Sequence, residues 1–383
     1  MNTLKEWAYR NMKGDPVIWF IIILLSVLSI LVVYSATGSL AYKMMEGNTE
    51  YYLMKHSALV LLSMVSIWLA HRIDYRYYSG ISRLLLWISV PLLVITWKFG
   101  TNINEASRWI TIPFINQAFQ PSDLAKLALL VTLASMLSRR QLKISDFQNA
   151  IIPMLVWIGI ICGLIALTDV SSAILLFLTC MLMLFIGRVP VKYLVMLVLI
   201  GGFSGYVALS IGQRGDTAIS RINEFLDDTP SYQARQAYVA MATGGVFGKG
   251  PGQSDQRNYL PSAYSDFIYA IIIEEYGIIG GILVLLLYLA LLYRGMKTAI
   301  QSDRPYAGLL AAGLSFAIVL QALVNMGVAV GLGPITGLPL PFVSMGGTSQ
   351  LFMGIAVGII LSVSRGELEN VGKPMNNQYK EAA

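Results

Sequence analysis

Histidine and cysteine are almost missing: the 383 residues contain two of each, His56 and His71, Cys162 and Cys180. Two histidines leave little room for a histidine-based catalytic centre or a zinc site. Both cysteines lie inside apolar runs, where a thiol packs as a small hydrophobe, so neither a disulfide nor a metal site is read from them. Charge is scarce as well, at 13% of residues against 56% hydrophobic. The apolar residues run on continuously instead of forming helical stripes. That composition describes a membrane protein.

A helix needs roughly 20 residues to cross about 30 Å of hydrocarbon. Ten runs qualify, near residues 16–38, 52–71, 84–100, 121–138, 149–168, 170–187, 190–212, 266–293, 306–331 and 346–364. The fifth and sixth nearly touch, but about 38 residues is too many for one crossing, so a tight turn is expected around Asp169.

Basic residues collect in every second loop: Lys5, Arg10 and Lys13; Arg72, Arg76 and Arg83; Arg139, Arg140 and Lys143; Arg188 and Lys192; Arg294, Lys297 and Arg304; then Arg365, Lys373 and Lys380. This alternation puts both termini in the cytoplasm. It also accounts for the formal charge of +6, which therefore carries no sign of nucleic-acid binding. No small-residue cleavage pattern follows the first run, which reads as a signal anchor. Ahead of it, Leu4, Trp7, Ala8 and Met12 share one face of a short helix lying on the cytoplasmic surface. The expected fold is an all-α polytopic membrane protein, a single transmembrane domain over 1–383. It comprises a cytoplasmic lead at 1–15, about ten transmembrane helices, a large extracytoplasmic loop at 211–265 between helices 7 and 8, and a cytoplasmic tail at 365–383.

That outer loop is where function is expected, because long loops in compact proteins are functional or disordered. It is rich in Tyr, Ile, Phe and Ala, and "SYQARQAYVAMA" can form a half-buried helix, which argues against disorder. Next comes "GGVFGKGPGQSDQRNYLP", 244–261. It is no Walker A loop, which would need Gly at Thr243 and Ser or Thr at Gly250 after a strand. Two readings stay open. Dense glycines can turn successive N–H groups toward an anion, with Lys249 and Arg257 adding positive charge; or the stretch is a flexible hairpin.

Few charges lie at membrane depth. Asp123 and Lys126 stand three apart on one face of the fourth span, where they can pair, and Pro121 occupies its first turn. Asp169 sits in the turn between spans five and six. Asp266, Glu274 and Glu275 belong to span eight. Intramembrane charges face a protein interior or a water-filled cavity and suggest function. By residue type alone Asp266 is either a functional carboxylate or a helix cap, and Lys126 could equally neutralise Glu274 or Glu275.

Four separated blocks carry a resemblance: "EASRWITIPFINQAFQPSDLAK", "LTDVSSA", "GKGPGQSDQRNYLPSAYSDFIYAIIIEEYG" and "GLGPITGLPLPFVSMGGTS". In order and spacing they resemble the SEDS family (shape, elongation, division and sporulation), polytopic glycosyltransferases that polymerise lipid II into peptidoglycan. The chain departs from the family pattern at Asp123 for Glu, Leu167 and Thr168 for Gln-Pro, Ser265 for Thr and Met345 for Tyr. The stretch between Arg257 and Leu260 is also one residue shorter. "SRINEF" and "YQARQA" look more like the division (FtsW) type, and Pro339 more like the elongation (RodA) type.

The resemblance implies that Asp266 is the catalytic general base. It places Arg108, Asp123, Lys126, Asp169, Lys249, Ser254, Gln256 and Arg257 at the substrate. It further implies a divalent cation, Mg or Mn, whose ligands the sequence does not name. The implied partners are lipid II, a single-pass class B penicillin-binding protein and other division-complex membrane proteins, in the bacterial inner membrane at the septum. Glu274, turned roughly 80° from Asp266 at 100° per residue, is expected to be a structural partner, as is Glu275. Two alternatives are a lipid II flippase with a broken helix in "GLGPITGLPLPF", and a scaffold docking through the small faces Gly201 with Gly205 or Gly354 with Gly358.

Overall fold

The computed structural model describes residues 11–38, 40, 49–103, 106–112, 117–144, 146–211, 215–227 and 230–371. The expected surface helix at Leu4, Trp7 and Ala8 lies outside them. Among the described residues each of the ten apolar runs is a helix. They are α1 (Pro16–Ala36), α2 (Thr49–Arg72), α3 (Tyr75–Phe99), α4 (Pro121–Arg139), α5 (Ile152–Ala166), α6 (Val170–Ile186) and α7 (Val191–Ile211). The outer loop contributes α8 (Gly215–Leu226) and α9 (Tyr232–Gly244), after which come α10 (Ile268–Gln301), α11 (Pro305–Ala329) and α12 (Ser349–Val371). Eight segments are long and apolar enough to cross a membrane, and α6 and the first part of α7 are shorter apolar helices. No hydropathy run announces the small antiparallel sheet between α3 and α4: β1 (Thr101–Ile103), β2 (Ala106–Ile112) and β3 (Gln117–Phe119).

Asp15, Asp74, Asp169 and Ser231 cap the starts of α1, α3, α6 and α9. Asp15 accepts the Val17 N–H at 2.9 Å with Pro16 in the first turn, and its other oxygen takes Arg294 Nε at 2.6 Å, tying the start of α1 to α10. Arg72 donates to Asn11 Oδ1 at 2.6 Å, and Arg365 to the Arg72 carbonyl at 3.0 Å, at the same end of the bundle. Asp123, Asp169 and Asp266 occupy the opposite end. Close packing uses the small faces internally. A Cβ on Gly354 would lie 2.4 Å from Ser66 Oγ, one on Gly358 2.5 Å from the Ala70 Cβ, and one on Gly201 2.6 Å from the Phe177 ring. The Gly354 and Gly358 face is thus taken up inside the bundle, as is Gly201, whereas Gly205 has nothing within 4 Å of where its Cβ would stand.

Two departures from helix shape the acidic end. The first is in α10, where Gly277 at φ 71°, ψ −175° separates 268–276 from 278–301. A break at membrane depth leaves amides and carbonyls that need protein partners. The glycine-rich loop provides them: Lys249 and Gly250 donate their N–H groups to the Glu274 and Glu275 carbonyls at 2.9 and 3.0 Å, while Ile278 and Ile279 donate to Gly245 and Val246 at 3.0 and 3.4 Å. The two backbones touch. A Cβ on Gly248 would lie 2.2 Å from the Glu275 carbonyl oxygen, and one on Gly277 2.1 Å from that of Val246.

The second departure is the connection from α11 to α12, which is buried at Leu338, Leu340, Phe342, Val343 and Ser344 without forming a helix. The broken-helix reading of this segment is therefore replaced by an extended one. Side chains of the surrounding helices satisfy its carbonyls: Asn325 Nδ2 to Leu338 at 2.7 Å, Gln321 Nε2 to Pro339 at 2.9 Å, Tyr288 Oη to Pro341, and Ser29 Oγ to Val343 at 2.7 Å. Non-helical backbone persists at this depth because protein encloses it.

Two glycine substitutions test the contact between loop and break. Gly252, at φ 77°, has open space where a Cβ would stand, so Gly252→Ala should cost only the left-handed backbone penalty, roughly 1–2 kcal/mol. Gly248→Ala, at φ 82°, adds the collision with Glu275 and should lower the thermal midpoint in detergent much further. Equal shifts in the two variants would contradict the close approach.

Candidate active site

Asp266 lies in the turn before α10. The cap position of that helix is Phe267, one residue further on, and its own side chain makes no capping bond. The turn is nevertheless pinned. Asn325 Nδ2 bridges the Asp266 and Leu338 carbonyls at 2.8 and 2.7 Å; Ser344 Oγ donates to the Ser265 carbonyl at 2.6 Å; and the Met345 N–H donates to the Tyr264 carbonyl at 2.9 Å. Ser265 Oγ donates to Asp266 Oδ1 at 3.0 Å. The other carboxylate oxygen looks across Gly337: a Cβ there would stand 3.6 Å from Asp266 Oδ2 and 4.0 Å from Arg221 Nη1. Arg221, on α8, donates to the Ile335 carbonyl at 3.1 Å. Sequence reasoning passed over this residue, noting "SRINEF" only as a mark of subtype; its signal is a guanidinium on a strongly amphipathic helix inside the outer loop.

A cavity of about 300 Å³ opens between α6, α8, α11 and residues 334–338. Ile174, Leu178, Ile222, Val324 and Leu338 give it apolar walls, and its polar groups are Asp169 and Arg221 with the hydroxyls of Ser171, Thr217 and Thr336. Asp169 caps α6, taking the Ser172 N–H at 3.2 Å and the Ser172 hydroxyl at 2.7 Å. Lys126 Nζ reaches Ser172 Oγ at 3.3 Å and Asp123 Oδ1 at 3.1 Å, while Asp123 Oδ2 is buried without a protein partner. The structure thus gathers Asp123, Lys126 and Asp169 into one chain joining α4 to α6. Apolar walls with charge at one end suit an amphipathic ligand carrying an anion.

Lys249, Ser254, Gln256 and Arg257 form a second cluster, and none of them lines this cavity. The buried Glu274 carboxylate takes Lys249 Nζ at 2.6 Å, the Ser254 hydroxyl, and the Asp255 and Gln256 N–H groups at 3.1 and 3.3 Å. Lys249 also reaches Asp255 at 3.0 Å. Burial pulls the Lys249 ammonium down, but its hydrogen bonds to Glu274 and Asp255 outweigh that and hold it above its ordinary range. Arg257 donates to the Gly252 carbonyl at 2.9 Å and the Ser35 carbonyl at 3.3 Å, and Ser35 Oγ donates to Glu275. The glycine-rich loop therefore does turn its amides to an anion, and that anion is the chain's own Glu274. Lys249, not Lys126, neutralises it. Arg108 lies in β2, and its side chain is outside the described part. Among the described residues no three His, Cys, Asp or Glu side chains stand together as metal ligands.

Comparisons with known proteins agree with this architecture. Residues 15–369 match the family described as cell cycle protein, that of FtsW, RodA and SpoVE. The chain is 34% identical over 358 residues to a probable peptidoglycan glycosyltransferase FtsW of Geobacter metallireducens, covering 92% of this chain and 95% of that one. It is 35% identical over 368 residues to the stage V sporulation protein E of Bacillus subtilis, covering 93% and 98%. Among solved structures, it shares a fold with a chain of a peptidoglycan synthase complex described as coordinating polymerization and crosslinking (TM-score 0.72, 24% identity, 92% and 98% covered). It also shares that fold with the rod shape determining protein RodA of Thermus thermophilus (TM-score 0.68, 24% identity, 92% and 97% covered).

The Glu274 latch is tested by removing its partners in turn. Lys249→Met leaves a buried carboxylate short of its cation; because Lys249 is 24% exposed, the cost should sit at about 3 kcal/mol, the low end for orphaning a buried charge. Limited proteolysis should then cut within 245–257. Adding Glu274→Gln should restore much of the resistance, whereas a double variant as labile as Lys249→Met would refute the pairing.

Proposed function

The chain belongs to the SEDS family of cell cycle proteins, the family of FtsW, RodA and SpoVE, and is a peptidoglycan glycosyltransferase; from that footing we propose that it polymerises lipid II at the end of the bundle carrying Asp266 and Arg221. The observation that carries this reading is the position of Asp266: a carboxylate in the turn ahead of the α10 cap position, pinned through its backbone and facing a guanidinium across a glycine. A sugar hydroxyl is a poor nucleophile, and a carboxylate that accepts its proton as the new bond forms contributes typically about 10²–10⁴ in rate. The acceptor's GlcNAc 4-hydroxyl attacks the anomeric carbon of the donor's MurNAc with inversion, its proton passes to Asp266, and undecaprenyl diphosphate leaves. Arg221 is the described cation best placed to stabilise the leaving diphosphate, with Lys126 and Arg108 as further candidates. The apolar walls below Asp169 and Arg221 take the first part of a polyprenyl chain.

The alternation of basic loops supports a cytoplasmic location for both termini, which puts Asp266 at the outer face of the inner membrane. Relatives named for division support action at the septum. The synthase complex among its structural neighbours supports a transpeptidase partner, a single-pass class B penicillin-binding protein.

Asp266→Asn keeps size and polarity but cannot accept the proton. The purified variant should fold, retain its partner and make no glycan strands from labelled lipid II. Asp266→Glu moves the carboxylate by about one bond length and should lose about 10²-fold, as ångström misplacements do. A flippase needs no base here, so near-wild-type polymerisation by Asp266→Asn would sink the catalytic reading. Orientation is checked separately: a label at Asp255 should be reachable from outside and one at Ser302 only from the cytoplasm, and reversed accessibility would invert the site.

A further inference from the structure

At the end of the bundle away from Asp266, a second cavity of about 310 Å³ lies between α3, α4 and α5. Arg83, Arg139 and Arg140 line it, and no acidic residue does. Among the described residues no carboxylate pairs with any of these three guanidinium groups. Among the described residues the Arg83 Nε donates to the Ser79 carbonyl, at 3.3 Å, and Arg140 Nη1 is buried without a hydrogen-bond partner. Arg83 and Arg139 are exposed at the mouth, while the buried Arg140 nitrogen is costly unless an anion or acceptor meets it, so the cavity has room for a negative group at that point.

The lining also changes character with depth. One helical turn inward from Arg83 stands Trp87, and one turn inward from Pro153 stands Trp157; their rings meet edge to face, 4.9 Å between centroids. On α4 the corresponding step runs from Arg139 and Arg140 to Met136 and Thr132, whose hydroxyl is already bonded to Ser82 at 3.0 Å. Trp87 is 67% exposed on the flank of the bundle, beside the exposed Leu84, so the cleft opens sideways toward hydrocarbon. A cationic rim above an aromatic floor, open laterally, matches a molecule with a phosphate at its head and an acyl chain below. Tryptophan favours that same boundary between headgroup and hydrocarbon.

We propose that this cleft binds the headgroup of an anionic phospholipid, its phosphate diester held by Arg83, Arg139 and Arg140 and its upper chain lying on Trp87 and Trp157. A zwitterionic lipid brings its own cation toward three arginines and is disfavoured by the same field that attracts an anionic one. In the proposed orientation the occupant comes from the cytoplasmic leaflet. The site is separate from Asp266 and stands whether or not that residue is the base.

The test uses the purified full-length protein in detergent, titrated with phosphatidylglycerol, phosphatidylcholine or inorganic phosphate. Phosphatidylglycerol should raise the thermal midpoint saturably by several degrees and be retained at least about tenfold over phosphatidylcholine in native mass spectra, a 1.4 kcal/mol preference. Arg83→Gln/Arg139→Gln/Arg140→Gln should lose that increment while keeping the wild-type midpoint in phosphatidylcholine. Equal increments in variant and wild type, or from the two lipids, would mean that the arginines merely extend to the interface, and would overturn the proposal. Inorganic phosphate reproducing the shift would also overturn it, assigning the site to a free anion. Should the triple variant not fold, wild-type tryptophan quenching decides. Brominated phosphatidylglycerol should quench more than brominated phosphatidylcholine and lose that excess in Trp87→Phe; equal quenching by the two lipids contradicts the site.

Discussion

At membrane depth no backbone amide or carbonyl can be left to water, and the acidic end of this bundle is organised by how its two breaks in helical geometry meet that demand. The break at Gly277 is met by the glycine-rich loop, and the extended connection between α11 and α12 is met by Ser29, Tyr288, Gln321 and Asn325. Between them lies the short helical piece 268–276, gripped at its inner end by the loop and at its outer end by Asn325, Ser344 and Met345. Asp266 sits at that outer end. Its backbone is held from two directions before any substrate arrives, which is the preorganisation that a positioned base requires.

Charge at this end divides between holding and acting. Glu274 is buried and surrounded by donors from one loop, so its energy goes into closing that loop over the break. Glu275, Ser35 and Arg257 carry the same latch across to α1. Asp169, Arg221 and Asp266, by contrast, face an open cavity or the gap across Gly337. The two sets of charges are separate in role. A substitution in the first set should weaken the structure around the site, and one in the second should alter what the site does.

The ten helices could be read from sequence because hydrophobic length is a local signal, and so could the Asp123–Lys126 pair, three residues apart on one helix. The half-buried helix expected from "SYQARQAYVAMA" is α9, buried at Ala234, Ala237 and Ala240. What escaped depends on distance along the chain. Lys249 and Glu274 are 25 residues apart and meet because glycines at positive φ fold the loop back onto α10, so their pairing carried no local signal. Asp266 looked equally like a cap, and the sequence does not show that α10 starts at Ile268 with Phe267 at its cap position. Arg221 stands on an amphipathic helix, but Asp266, its neighbour across Gly337, lies 45 residues away in sequence, so no local spacing links the two.

The proposed role of Asp266 is tested most directly by giving the carboxylate back from solution. In Asp266→Gly the side chain is gone and a small anion has room to enter, so added formate should restore strand synthesis from lipid II in a saturable way, with no effect on the wild-type enzyme or on Asp169→Gly. Strand synthesis by Asp266→Gly at the wild-type rate without formate would contradict the assignment and leave the carboxylate with no part in the chemistry.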